Sequence, residues 1–348
     1  MDGRRLAKGL KAFMRRRDGN NEIELRREQE ELSKHLDLEE RNATLHSTDV
    51  PRAPLILRIE VVNLCNADCV FCTYQYQKRA IETMSFDVFK RAVDQFTALG
   101  GTHLCFTPVV GEALIDRELE DKVAYARQFP QYERLELWTN AILLTRKRFE
   151  ALVDAGINEF FISMSGFSAA EYKQLYRNNN YAKVIQNLNA IAQSSALKNV
   201  KFAVMARTCS PAPEQEPDYI KMRELDAFPI IFQNEMFSWH GQIKENDLPG
   251  NMFIIDGPRD QTKPCFFLWA GFTLMSNGDM TVCGCTDIDG AGLPLGNIQD
   301  VPIDAHLRDG HWLKLHDSFI AGAPPDFCKG CDMYSPHEAS PQKSASPL

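Results

Sequence analysis

From residue 55 onward, short apolar runs alternate with amphipathic segments. Leu55 to Val62 is an almost unbroken apolar run, the pattern of a buried strand. Ser85 to Gly100 carries apolar residues at helical spacing, with Ser85 placed to cap the first turn and Gly100-Gly101 to end the last. The alternation then repeats: strand Thr102 to Thr107 and helix Arg117 to Phe129, strand Leu135 to Thr139 and helix Thr145 to Gly156, strand Glu159 to Met164 and helical material from Ala169 to Ala192. Val200 to Met205 and Ile230 to Asn234 add two more strands. Strand and helix alternating at this spacing predict a parallel sheet with helices on its outer face. Phe272 to Cys283 breaks the rhythm and reads as a hairpin turning at Asn277-Gly278.

The pattern sets the boundaries. Residues 1–54 are charged and helix-prone, with Leu6, Leu10 and Phe13 at helical spacing among basic residues. They predict an amphipathic extension that packs on the main domain as a solvated helix, or touches an anionic surface. Residues 55–250 form the α/β domain, 251–335 a small cysteine-bearing domain, and 336–348 a disordered tail.

With 348 residues, the chain is long enough for one large core and a smaller one. A net charge of −8 argues against nucleic acid as the main partner, since phosphate binding needs a basic surface. Ten cysteines in a chain of this size, with no signal peptide read at its start, fit metal thiolates in a reducing cytoplasm better than a disulfide framework. No apolar run reaches the roughly 18 residues of a membrane span.

The cysteines are clustered. Cys65-Asn66-Ala67-Asp68-Cys69-Val70-Phe71-Cys72 places three thiols in eight residues directly after the first strand. Soft sulfur ligands at this density select zinc, copper(I) or an iron–sulfur cluster, and three of them leave one metal position open. Buried inert thiols, or a zinc site completed from a distance, are the alternatives. A second set, Cys265, Cys283 and the pair Cys328-Lys329-Gly330-Cys331, offers four thiolates and so a closed shell, which zinc or a 4Fe-4S cluster would fill equally well. Cys285 is the spare thiol beside Cys283; Cys105 and Cys209 read as buried thiols, and Trp239-His240-Gly241 follows the last strand of the repeat.

The C-x3-C-x2-C spacing with Phe71 before the third cysteine resembles the signature of the radical S-adenosylmethionine (SAM) superfamily. The resemblance implies a partial (β/α)6 barrel in which Cys65, Cys69 and Cys72 hold three irons of a 4Fe-4S cluster, with SAM on the fourth. It implies reductive cleavage of SAM to a 5′-deoxyadenosyl radical that abstracts hydrogen from a substrate. Val110-Gly111-Glu112-Ala113 is similar to the family's Gly-Gly-Glu-Pro segment, which puts Gly111 and Glu112 at the SAM amino group. Thr139-Asn140-Ala141 resembles a Thr-Asn-Gly segment, and Ser163-Met164-Ser165-Gly166 a Ser-x-Asp-Gly segment with Ser165 in place of the acid. Asn140, Ser163, Ser165 and Arg177 are accordingly candidates for SAM contacts, Ser163 for its ribose and Arg177 for its carboxylate.

The spacing C-x12-G-x4-C, followed by C-x2-C, is similar to the shortened (Twitch) form of the SPASM auxiliary-cluster domain. That implies a second 4Fe-4S cluster on Cys265, Cys283, Cys328 and Cys331. The whole arrangement resembles radical SAM dehydrogenases and epimerases of aminocyclitols and aminoglycosides. It implies oxidation or epimerisation of a small polyhydroxylated molecule, a flavodoxin- or ferredoxin-type electron donor, and Cys285 as a candidate hydrogen donor. Modification of a ribosomal peptide is the second reading, disfavoured because no winged-helix pattern appears before residue 55. A metal-binding protein without catalysis is the third.

Overall fold

The computed structural model describes residues 56–106, 109–255, 261, 264–284, 286–308 and 311–334. The amphipathic helix expected in the extension, the tail and Cys285 lie outside these residues.

The alternation folds as the pattern predicts. Strand β1 (Ile56–Ile59) leads to helix α1 (Phe86–Ala98), whose first turn is capped by the Ser85 hydroxyl accepting from the Val88 N–H. There follow β2 (His103–Phe106), α2 (Leu119–Arg127), β3 (Arg134–Thr139), α3 (Arg146–Ala155), β4 (Glu159–Ser165), α4 (Ala169–Tyr176), α5 (Tyr181–Ala192), β5 (Lys201–Arg207), α6 (Pro217–Glu224) and β6 (Ile230–Gln233). The helical stretch 169–192 is two helices. Arg177 ends the first in the left-handed region, at φ 52°, which turns the chain before α5. β5 runs two residues beyond the predicted Met205, because its apolar pattern stops where Arg207 turns to the mouth of the sheet.

Strands β1 to β6 pair in parallel, in sequence order. After β7 (Glu235–Met236), β8 (Phe253–Ile254) and the short helix α7 (Phe266–Ala270), the predicted hairpin forms as β9 (Gly271–Leu274) and β10 (Asp279–Thr281), with β11 (Pro294–Asn297) paired to β10. Helices α8 (Ile303–Arg308) and α9 (His311–Ile320) follow. β9 lies parallel to β1, so the C-terminal segment extends the barrel sheet to nine strands in the order β11-β10-β9-β1-β2-β3-β4-β5-β6. The sheet is open. Gly271 permits the junction, because a Cβ there would stand 1.7 Å from the Ile56 carbonyl oxygen.

The two faces of the sheet differ in chemistry. Leu57, Ile59, Leu104, Phe106, Leu135, Leu137, Phe160, Ile162, Phe202 and Val204 point outward into a continuous core with Phe89, Val93 and Phe96 of α1. On the inner face the register aligns Thr273, Arg58, Cys105, Glu136, Glu159 and Lys201 in one row across six strands. Arg134 pairs with Glu159 at 2.7 Å and Glu136 at 3.1 Å, and Lys201 reaches Glu159 at 3.3 Å. Burial alone would raise the Glu136 pKa, but His103, Arg134 and Trp138 hold its carboxyl down to about 2. Above this row, Trp138 stacks on Phe161 with centroids 4.7 Å apart. Among the described residues no helix is long and apolar enough to cross a membrane.

Candidate functional site

The three-cysteine loop leaves β1 at the carboxyl end of the sheet and is tied down on both sides. Asp68 N–H donates to the Tyr176 carbonyl and Val70 N–H to that of Leu175, which fastens the loop to the end of α4. Asn63 braces its base, donating to the Ala80 carbonyl at 2.7 Å and accepting from the Glu82 N–H at 2.7 Å. Phe71 is buried against Tyr176, with centroids 5.9 Å apart.

Glu112 follows β2 and is buried. Its Oε1 accepts from the Thr139 hydroxyl at 2.6 Å and the Leu114 N–H at 3.2 Å, and its Oε2 from the Asn140 N–H at 2.8 Å. Burial raises its pKa against these bonds. The Glu112 N–H donates to the Leu64 carbonyl, next to Cys65. Gly111, at φ 117°, makes this approach possible: a Cβ there would lie 2.5 Å from the Val62 carbonyl oxygen. Asn140 completes the link, its amide donating to Asn66 Oδ1 at 2.6 Å and lying 4.0 Å from Cys65 Sγ. Ala141 takes the left-handed conformation, φ 60°, at the position of the resembled glycine.

Ser163 and Ser165 lie one turn of the pleat apart on β4. The Ser163 hydroxyl meets Tyr176 Oη at 3.2 Å and accepts from Arg207; Ser165 is fully buried, its hydroxyl without a partner among the described residues. Arg207 was not singled out from the sequence, yet its guanidinium sits 5.0 Å over the Phe71 ring and counteracts the rise in pKa at Cys69 and Cys72. A strand ending in arginine at the carboxyl edge of a parallel sheet was the available signal. Arg177, by contrast, is 44% exposed in its side chain and pairs with Asp68 at 3.2 Å and Gln75 at 3.3 Å.

Burial raises the Cys65 thiol to about 12 and those of Cys69 and Cys72 upward, with repulsion from neighbouring cysteines adding to it at Cys65 and Cys69 and from Asp68 at Cys72. Thiolates in such a place are stabilised by a bound cation, so the donor set suits a metal cluster. At the other end of the chain, Cys265, Cys283, Cys328 and Cys331 line one cavity with Phe267 and Phe327. Burial and the neighbouring cysteines push Cys331 up to about 12 and Cys328 higher still. Cys283 Sγ accepts from the Thr286 N–H at 3.4 Å, and Thr286 meets His240 Nε2 at 2.9 Å, so His240 stands behind this set.

Among the described residues only His103, Cys105 and Glu136 bring three ligand atoms within 4.8 Å of one another. The His103–Cys105–Glu136 group is itself an ion-pair network, since Glu136 also binds Arg134 and accepts from Trp138 Nε1 at 2.6 Å.

Residues 59–205 match the Radical SAM superfamily. The chain carries a radical SAM domain, on a mostly parallel, unclosed α/β sheet; such domains work with a 4Fe-4S cluster and SAM. It is similar to a GTP 3′,8-cyclase of Limosilactobacillus fermentum, 29% identical over 154 residues, which are 43% of this chain and 45% of that protein. It is also similar to a PqqA peptide cyclase of Bradyrhizobium diazoefficiens, 26% identical over 207 residues, or 58% of this chain and 51% of that protein. The chain thus spans about half the length of these curated relatives. In fold it is similar to BtrN, solved in complex with AdoMet and 2-DOIA, at a TM-score of 0.54 and 17% identity over 80% of this chain and 92% of that one.

Proposed function

We propose that this protein is a radical SAM oxidoreductase or epimerase acting on a small polyhydroxylated substrate, sugar- or aminocyclitol-like, held inside the open barrel. The observation that carries the proposal is the three-thiol loop at the carboxyl end of a parallel sheet, backed by a buried carboxylate and polar residues from the next strands. Cys65, Cys69 and Cys72 would hold the SAM cluster. When bound, that cluster and SAM supply a 5′-deoxyadenosyl radical that takes a hydrogen atom from the substrate. Each carboxylate oxygen accepts two bonds, so Glu112 Oε2, which accepts one, can still receive the SAM ammonium. Asn140 holds the loop at Cys65, and Arg207 with Ser163 offers a charged donor pair for the SAM carboxylate. Arg177 and Ser165 remain candidates on the same rim.

Cys265, Cys283, Cys328 and Cys331 line one cavity and would hold a second 4Fe-4S cluster in a Twitch-like segment. Held by these four cysteines, such a cluster would suit a dehydrogenase, because it would supply a one-electron acceptor for the carbinol radical left by hydrogen abstraction once its hydroxyl proton has gone, giving the ketone. Cys285 would serve an epimerase instead, returning hydrogen from the opposite face. A flavodoxin- or ferredoxin-class protein would supply the reducing electron. The test is anaerobic incubation of reduced, reconstituted protein with SAM and a panel of aminocyclitols and sugars. Substrate-dependent 5′-deoxyadenosine is expected, and its absence across the panel refutes the substrate class. The similarity to a PqqA peptide cyclase favours a second reading, peptide modification; micromolar binding of a precursor peptide would put that reading first.

A further inference from the structure

Arg58 stands in the inner polar row between Cys105 on β2 and Thr273 on β9. It is only 6% exposed, and among the described residues its Nη1 has no hydrogen-bond partner. The other basic groups near it have partners: Arg134 binds Glu136 and Glu159, Lys201 binds Glu159, Arg79 grips Glu60 through two bonds of 2.6 and 2.8 Å, and Arg207 donates to the Ser163 hydroxyl. Among the described residues no carboxylate lies within ion-pair distance of Arg58. Its neighbour across the strand, Thr273, is fully buried, and its hydroxyl has no partner among the described residues.

The guanidinium is seated on purpose-built walls. Its Cζ lies 5.0 Å from the centroid of Phe267, which also lines the four-cysteine cavity. On another side stands Gly284, where a Cβ would come within 2.5 Å of Arg58 Cδ and Nε. No left-handed backbone demands glycine at 284, so the missing side chain serves the space Arg58 needs. Burying a guanidinium without an acceptor is costly, and a fold keeps one where something else supplies the acceptor.

We infer that Arg58 and Thr273 form a receptor for an anionic group of the substrate, a carboxylate or a phosphoryl group. Two guanidinium donors can engage either oxyanion as a fork, and the Thr273 hydroxyl can add a third bond. Arg58 lies against Phe267 and Gly284, the first a wall of the four-cysteine cavity and the second next to Cys283, so an anchored substrate would be held beside that cavity. This rests on the reading above that the barrel interior is the substrate chamber, and it narrows the polyhydroxylated substrate to one that also carries a carboxylate or phosphoryl group.

The test uses the full-length, reconstituted protein with sodium phosphate, sodium acetate and, at matched ionic strength, sodium chloride as probes. Wild type is expected to show saturable binding of phosphate or acetate by calorimetry, and whichever saturates first identifies the group. Arg58→Met is expected to weaken that binding by about tenfold or more, as loss of a buried charged partner does, and Thr273→Val by a smaller factor. A structural arginine would destabilise the fold when replaced. The inference instead expects ligand-free Arg58→Met to melt no lower than wild type, since the variant removes an unpaired buried charge. Equal response to chloride, unchanged binding in both variants, or an Arg58→Met protein that fails to fold would each overturn it. The SAM-dependent change in the reduced-cluster magnetic resonance spectrum is recorded on the same samples. If wild type lacks that change, the radical SAM reading fails; if it is present and the anions ignore Arg58, only this inference fails.

Discussion

Replacing Glu112 with Gln separates a residue that shapes the loop from one that binds the cofactor. The carboxylate takes three bonds, from Thr139 Oγ1, Leu114 N–H and Asn140 N–H. A glutamine of the same shape must turn its NH2 towards one side. Facing Asn140 it meets an N–H donor; facing Thr139 and Leu114 it meets another N–H donor and forces the hydroxyl to rotate. One bond to a charged acceptor is lost in either case, worth about 1.5–3 kcal/mol. Burial already disfavours the charge on Glu112, however, so a neutral side chain recovers part of that loss in the ligand-free fold. The net change in stability should stay under about 2 kcal/mol. SAM has no such compensation: its ammonium loses an anionic acceptor, and at about 1.4 kcal/mol per tenfold the same 1.5–3 kcal/mol weakens binding by roughly 10- to 150-fold. The assay pairs urea unfolding of the apoprotein with calorimetric titration of SAM into the anaerobically reconstituted protein. A variant that binds SAM within threefold of wild type would refute the direct role of Glu112, and one that fails to fold would make it structural.

Gly111→Ala should cost at least about 1–2 kcal/mol from the positive φ alone, with more from its approach to the Val62 carbonyl. It should lower iron retention on the three-cysteine loop, read by anaerobic iron analysis. Glu136 has its carboxyl held near 2, below its ordinary range. Its ion pairs therefore stabilise the fold fully above about pH 4.5, and their contribution, at most about 3 kcal/mol, fades as pH falls towards 2. Urea unfolding between pH 5 and 3 should fall more steeply for wild type than for Glu136→Gln, and parallel slopes would contradict this. Cys328→Ser should take iron from about eight to about four per chain if the C-terminal set holds a 4Fe-4S cluster. Zinc released in its place would refute that assignment.

Much of this architecture was written in local patterns. Period-two and period-3.6 spacing, with caps such as Ser85 and Thr145, set the strands and helices, because burial of one face and satisfaction of helix ends are decided within a few residues of chain. The three-cysteine loop was legible for the same reason, its ligands lying inside eight residues. Other features depend on what the parallel register brings side by side. Nothing near Arg207 in the chain points to Phe71, and nothing near Gly271 points to the edge of β1, yet the fold joins each pair. The row from Thr273 through Arg58 to Lys201 is the clearest case. Its members come from six strands, and whether a buried charge is paired or left for a ligand depends on which side chains fill the few ångströms around it, a distance measured across the sheet and not along the chain.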